Sequence, residues 1–121
     1  EFEIDLDKTN LIISKYTLNK TKWYRAPHAK ISDTMQNIID ERGMVHIISD
    51  SFANDTAIPD SKWISDFVLK QVQPGSIIVI HMPERGVREW LYKAIELTLQ
   101  GLKDRKLNVV NLTELENLQT N

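Results

Sequence analysis

The stretch Gln73-Pro74-Gly75-Ser76-Ile77-Ile78-Val79-Ile80-His81 decides the fold class. Pro74-Gly75 is a turn that ends any helix before it. Four β-branched apolar residues follow with no polar residue between them. Such side chains favour an extended backbone, and a strand without polar alternation is buried on both faces. Double burial arises when helices cover a parallel sheet. The run closes on His81, a group able to carry charge at the carboxyl end of a buried strand.

Toward the N-terminus, Asp60 or Ser61 caps a helix with Trp63, Ile64, Phe67, Val68 and Val72 at helical spacing. The polar stretch from Ser49 to Asp60 reads as a loop, and Met44 to Ile48 as a strand. Ser32 caps an earlier helix carrying Met35, Ile38 and Ile39, which ends at Gly43. Lys22 to Arg25 reads as a short strand stopped by Ala26-Pro27, and Glu3 to Tyr16 as an amphipathic helix. Toward the C-terminus, a loop from His81 to Gly86 leads into a long helix from about Val87 to Lys103, burying Trp90, Leu91, Ala94, Ile95, Thr98 and Leu102. Asn108 to Leu112 reads as a last strand, and Thr113 as the cap of a terminal turn, with Glu116 in the capping-box position.

Strands alternating with helices predict an α/β fold with parallel strands, spanning residues 1–121 as a single unit. Four strands do not close a barrel. The pattern fits a small open doubly wound sheet, or part of a (β/α) barrel whose first strands lie elsewhere.

Composition narrows the function. Of 121 residues, 41% are apolar and 26% charged, as in an ordinary folded domain. Fifteen basic residues against seventeen acidic ones give a net charge of −2, so no basic footprint marks a nucleic-acid binder. No apolar run is long enough to span a membrane as a helix. The absence of cysteine excludes disulfides, thiolate metal sites and Cys nucleophiles. The first residues, Glu1-Phe2-Glu3-Ile4-Asp5, do not form a signal peptide. Sequons at Asn19, Asn54 and Asn111 lend weak support to a secretory route, since chance alone supplies about one. No G-x-G-x-x-G, P-loop, G-x-S-x-G or H-E-x-x-H occurs.

The candidate site residues share a position in the pattern. Arg25 ends the first strand, Asp50 follows the second with Asp55 further along the same loop, and His81 follows the third. Ligands of parallel α/β folds bind where the carboxyl ends of strands and the N-termini of helices converge, so these groups are expected on one rim. A carboxylate beside His81 would favour its charged form and suit it as a general acid. His28 sits in a loop after Pro27, and His46 lies within the second strand as a packed or edge side chain. Trp23, Trp63 and Trp90 fall at apolar positions and read as core.

Three segments resemble motifs of the NodB-type polysaccharide deacetylases, carbohydrate esterase family 4, which includes chitin deacetylases. Trp23-Tyr24-Arg25-Ala26-Pro27-His28 is similar to R-x-P-[aromatic]-G, the third motif. Ser49-Asp50-Ser51-Phe52-Ala53-Asn54-Asp55 resembles the aspartate-bearing loop of the fourth. Gln73 to His81 resembles P-G-S-I-(apolar)-L-x-H, which ends in the fifth, and Leu107 to Leu115 looks like the closing strand and helix.

The resemblance implies a distorted (β/α) barrel that hydrolyses N-acetyl groups of chitin-like or peptidoglycan-like glycans with a divalent metal, usually zinc. It implies His81 as general acid and Asp55 as its partner, with Asp50 the lesser candidate. Arg25 would hold the catalytic-base aspartate, and the backbone N–H near His28 would help stabilise the oxyanion. Val79 stands where the family has the Leu that lines the acetyl pocket. Ala29 replaces the motif's Gly, His28 its aromatic residue, and Thr56 a frequent Trp. The T-F-D-D and H-x-x-x-H segments that carry the base and the metal ligands do not occur here. The chain is thus expected to be the C-terminal half of such a domain, without metal ligands. Its expected partners are a glycan and either the N-terminal half or another copy of itself, and its expected location is extracellular or secretory. An inactive glycan- or partner-binding module and an unrelated small doubly wound protein are the alternatives.

Overall fold

Ser32 and Asp60 begin two helices by accepting backbone protons. In the computed structural model, which describes residues 1–120, the Ser32 hydroxyl accepts the Met35 N–H at 3.2 Å and the Asp60 carboxylate the Trp63 N–H at 2.9 Å. Each bond satisfies one of the donors that a helix start leaves open. In chain order the elements are α1 (Phe2–Ile13), β1 (Trp23–Tyr24), α2 (Asp33–Glu41), β2 (Val45–His46), β3 (Ser51–Phe52), α3 (Ser61–Gln71), β4 (Ile78–Val79), α4 (Trp90–Asp104) and α5 (Leu112–Thr120). The described residues fall into two compact units, Glu1–Ile48 and Ser49 onward.

In the first unit β1 pairs in parallel with β2, Trp23 opposite Val45 and Tyr24 opposite His46. The connection between them is α2, which Gly43 ends with a left-handed φ of 64°. The core is Leu6, Ile39 and Met44, with Phe2, Tyr24, Ile31 and Ile38 packed around it. Arg42 ties α2 to α1 through Asp7, at 2.5 and 2.7 Å, and Glu3, at 2.8 Å. Of the apolar residues expected to make α1 amphipathic, only Leu6 is buried; Ile4, Leu11 and Ile12 are exposed.

In the second unit β3 pairs in parallel with β4, Ser51 opposite Ile78 and Phe52 opposite Val79. α3 and α4 pack on each other around two clusters. Ile64, Leu91 and Ala94 form one, Val68, Val72 and Leu102 the other, and Ile80 reaches both. Gly101 sits mid-helix because the helices approach closely there: a Cβ on it would fall within the Leu69 side chain. Arg105 reaches back to the C-terminal end of α3, donating to the carbonyls of Leu69 and Val72 at 2.7 Å each.

The parallel strands and intervening helices of an α/β fold are therefore present, with further departures from the sequence reading in the second unit. The expected loop from Ser49 to Asp60 contains β3, since Ser51 is fully buried and satisfied by donating to the Val68 carbonyl at 3.0 Å. The strand expected from Asn108 to Leu112 does not form. There Asn111 caps α5, accepting the Glu114 N–H while Glu114 accepts the Asn111 N–H, at 2.9 and 3.0 Å. This capping box lies two residues before the one expected at Thr113 and Glu116. Trp63 is not core either: it is exposed on α3 and stacks on Phe67, ring centroids 4.9 Å apart.

Candidate functional site

β4 delivers the residue that follows it to the end of a short parallel pair, and the turn after β3 meets it there. Both oxygens of Asp55 are taken by His81. Oδ2 accepts the His81 backbone N–H at 2.7 Å, and Oδ1 lies 2.9 Å from the ring Nδ1. Asp55 is 2% exposed, whereas the His81 side chain is half exposed at 51%. A buried carboxylate needs such donors, because leaving one unpaired costs about 1–3 kcal/mol or more. An ionised carboxylate can only accept, so Nδ1 carries the proton and Nε2 is the nitrogen left to exchange protons at the surface.

The turn that holds Asp55 is itself fixed. Ala57 and Ile58 N–H groups donate to the Asn54 carbonyl at 3.2 and 3.1 Å. The Trp90 indole N–H donates to the Asp55 carbonyl at 2.8 Å, and the Ser61 hydroxyl donates to the Trp90 carbonyl at 2.7 Å. Trp90 and Ser61 are the first residues of α4 and α3, so two helix starts converge on the turn. Trp90 packs against the Ile64–Leu91–Ala94 cluster, as its apolar character predicts. Its polar role was not visible in the sequence, where an indole at an apolar spacing carries no mark of what its N–H meets.

The other expected site residues are placed as follows. Val79 lies half-buried in β4, two residues before His81. Asp50 does not join the Asp55–His81 end. It precedes β3, at the opposite end of the parallel pair, where its carboxylate accepts the Ile77 N–H at 2.8 Å and the Ser76 hydroxyl at 3.0 Å. That corrects the expectation of one rim: Asp50 fixes the entry of β4, because β3 starts after it and not before it.

Arg25 and His28 lie in the first unit. Arg25 is exposed directly after β1. His28 and Ala29 form a tight turn in which both residues take left-handed φ values, 55° and 54°. Ala29 thus occupies, without glycine, the conformation that favours glycine at the end of the R-x-P-[aromatic]-G pattern. The first unit also has a cleft of about 270 Å³ between α1 and β1, lined mostly by apolar residues such as Phe2, Leu6, Trp23 and Met44.

Among the described residues, no three His, Asp or Glu side chains stand close enough to hold a metal ion. His81 Nε2 is left open, but a single nitrogen with no further ligand group beside it does not make a metal site. The residues present do not fit the divalent metal that the resemblance implies, and no chemical step is assigned to one.

Neither a protein-family model nor a curated protein matches the chain. Solved structures do. Wild-type BA3943, a CE4 family pseudoenzyme from Bacillus anthracis, superposes with a TM-score of 0.82 at 26% identity, over 95% of this chain and 39% of that one. This chain has the fold of CE4 proteins. A BA3943 mutant with restored enzymatic activity gives a TM-score of 0.83 at 27% identity, over 95% and 40%. A mutant of the peptidoglycan deacetylase PdaC from Bacillus subtilis gives 0.77 at 24% identity, over 94% and 53%, a likeness of fold alone. The chain therefore spans between two fifths and about half of the CE4 chains it matches. The resemblance carried by the Trp23–His28, Ser49–Asp55 and Gln73–His81 segments has its counterpart in the three-dimensional structure.

Proposed function

We propose that this chain forms the proton-donating part of a metal-dependent CE4-type polysaccharide N-deacetylase, acting on a chitin-like or peptidoglycan-like glycan. The observation that carries the reading is the grip of the buried Asp55 carboxylate on both the backbone and the ring of His81. Hydrolysis of an N-acetyl group adds water to the acyl carbon and breaks the C–N bond, giving acetate and a free amine. The amine is a poor leaving group until its nitrogen is protonated. His81 Nε2, left open on a half-exposed side chain while Nδ1 is held, supplies that proton. Asp55 stabilises the charged ring that precedes the transfer and keeps Nε2 turned outward. Val79 contributes to the wall that receives the acetyl methyl. The proton lost by water goes to a base that the resemblance places outside these 121 residues, and it assigns the metal to the same part of the family's domain.

The resemblance further assigns Arg25 to orienting that base, and the backbone N–H near His28 to the oxyanion. A distorted barrel completed by an N-terminal half, or by another copy of this chain, belongs to the same proposal. The exposed Ile4, Leu11 and Ile12 of α1 and Tyr16 beyond it support it, since they are apolar surface without cover. An extracellular or secretory location follows from the resemblance, and the exposed sequon residues Asn19, Asn54 and Asn111 are compatible with it. Among the described residues, no helix is long and apolar enough to cross a membrane.

The test is acetate release from an N-acetylated glycan oligomer by the whole protein. His81→Ala is expected to lower turnover about a hundredfold or more, the usual contribution of a positioned general acid. Unchanged turnover would overturn the assignment. A second reading, an inactive glycan- or partner-binding module, is favoured by one observation: the fold is shared with a pseudoenzyme. Saturable glycan binding by the whole protein without acetate release would select it.

A further inference from the structure

We infer that Trp90 is a positioning residue for the Asp55–His81 pair, acting through its indole N–H on the Asp55 carbonyl. The inference rests on the reading of His81 as proton donor. Phenylalanine could supply the apolar contacts of Trp90 with Ile64, Leu91 and Ala94. What only tryptophan supplies there is a donor, used at 2.8 Å on the residue that orients His81. The requirement is geometric. Asp55 must present one oxygen to the His81 backbone and the other to the ring at the same time, and it does so from a turn outside any helix or strand. A turn held only by its own backbone bonds rotates easily, and a small rotation would keep one contact and lose the other. Trp90 fixes the peptide of Asp55 from the side of α4. Ser61 fixes the peptide of Trp90 from the side of α3. The frame therefore runs from two packed helices to the carboxylate, and from there to a ring that is half exposed and held by no other hydrogen bond among the described residues.

The experiment reads the tautomer of His81 by nitrogen NMR in the whole protein, at a pH where the ring is neutral. The wild type is expected to hold the proton on Nδ1. Trp90→Phe is expected to lower the ratio of the Nδ1–H to the Nε2–H tautomer about tenfold, the factor that one hydrogen bond of ordinary net strength is worth. Asp55→Asn is the reference for complete loss. Leu102→Ala, which cuts the other core cluster, should lower stability and leave the ratio unchanged. A wild-type ratio in folded Trp90→Phe overturns the inference. If that variant does not fold, the wild type decides. The Trp90 indole N–H resonance should move as His81 is titrated and stay still in His81→Ala, and a flat indole resonance in the wild type overturns the inference. Turnover that is indifferent to His81 would remove the proton-donor reading while leaving the tautomer result intact. An unchanged ratio with turnover still dependent on His81 would remove Trp90 alone.

Discussion

The two units use the same local ingredients, a parallel strand pair crossed by a helix, and are held together by different means. The first has one core cluster of three buried residues and an ion-pair cluster in which Arg42 meets two half-exposed carboxylates. The second has two packed clusters between helices, a fully buried serine that ties β3 to α3, and a buried aspartate with every oxygen engaged. Surface ion pairs contribute little, with a median of about 0–1 kcal/mol, whereas each well-buried aliphatic side chain contributes roughly 1.5–3 kcal/mol. The unit that carries the candidate chemistry is thus the one built to hold side chains still.

The largest test of that contrast uses the same side chain at the same burial in both places. Ile39 and Ile64 are each 0% exposed. Replacing either by Ala is expected to cost about 2–5 kcal/mol. In the first unit that loss takes one of the three buried residues of its core cluster. Amide hydrogen exchange of Ile39→Ala should show lost protection in α2 and β1, with protection in α3 and α4 retained. Ile64→Ala should weaken protection in α3 and α4 without abolishing it. Simultaneous loss across both units in Ile39→Ala would show that the contrast is false.

Two arginines sharpen it at a smaller scale. Arg105→Ala removes two donors from the Leu69 and Val72 carbonyls, which water can partly replace, and should cost about 0.5–1.5 kcal/mol, read from urea unfolding of the second unit. Arg42→Gln acts on the first unit and should show itself mainly through pH. The hydrogen bond from Arg42 holds the Asp7 carboxyl below its ordinary range, while Asp7 and then Glu3 raise the guanidinium. A depressed folded-state value adds stability that is fully present above the unfolded value. It is lost as pH falls through the folded value, so the window opens below about pH 4. Thermal melts between pH 5 and 2 should therefore fall more steeply for wild type than for Arg42→Gln. Parallel slopes would show that the ion pair is irrelevant to stability.

The smallest expected effect is a gain. Left-handed φ costs a non-glycine residue about 1–2 kcal/mol, and glycine gives back roughly 0.5–1 kcal/mol of that through unfolded-state entropy. Ala29→Gly should stabilise the first unit by about 0.5 kcal/mol, seen as a small rise in its melting temperature.

Much of the frame was legible where one residue type fixes one local outcome. The caps Ser32 and Asp60, the turn at Pro74-Gly75 and the β-branched run before His81 each admit few structures, and the parallel pairing followed from them. Legibility failed where burial overrides appearance. Ser51-Phe52 looks like loop because a serine faces the core, and only the Val68 carbonyl makes that tolerable. Asn108 to Leu112 looks like strand because of Val109 and Val110, yet both stay exposed and the capping pair of Asn111 and Glu114 sets the structure instead. At the candidate site, the position of His81 at a strand end could be read from the run before it. The division of labour between Asp50 and Asp55 could not, because it depends on which side of a two-residue strand each lies. Trp90 was hidden for a simpler reason, since spacing reports the buried face of an indole and not its donor.

The strand pairs described above also govern how the chain can assemble. β1 meets β2 only across α2, and β3 meets β4 only across α3. A hairpin can zip outward from its turn, whereas a parallel pair must first close a loop that contains a whole helix, at an entropic cost that precedes any ladder bond. Condensing α2 and α3 first shortens those loops. Substitutions on the buried faces of these helices should therefore slow folding, while changes within the strand pairs should mainly speed unfolding, a division that transition-state analysis can read directly.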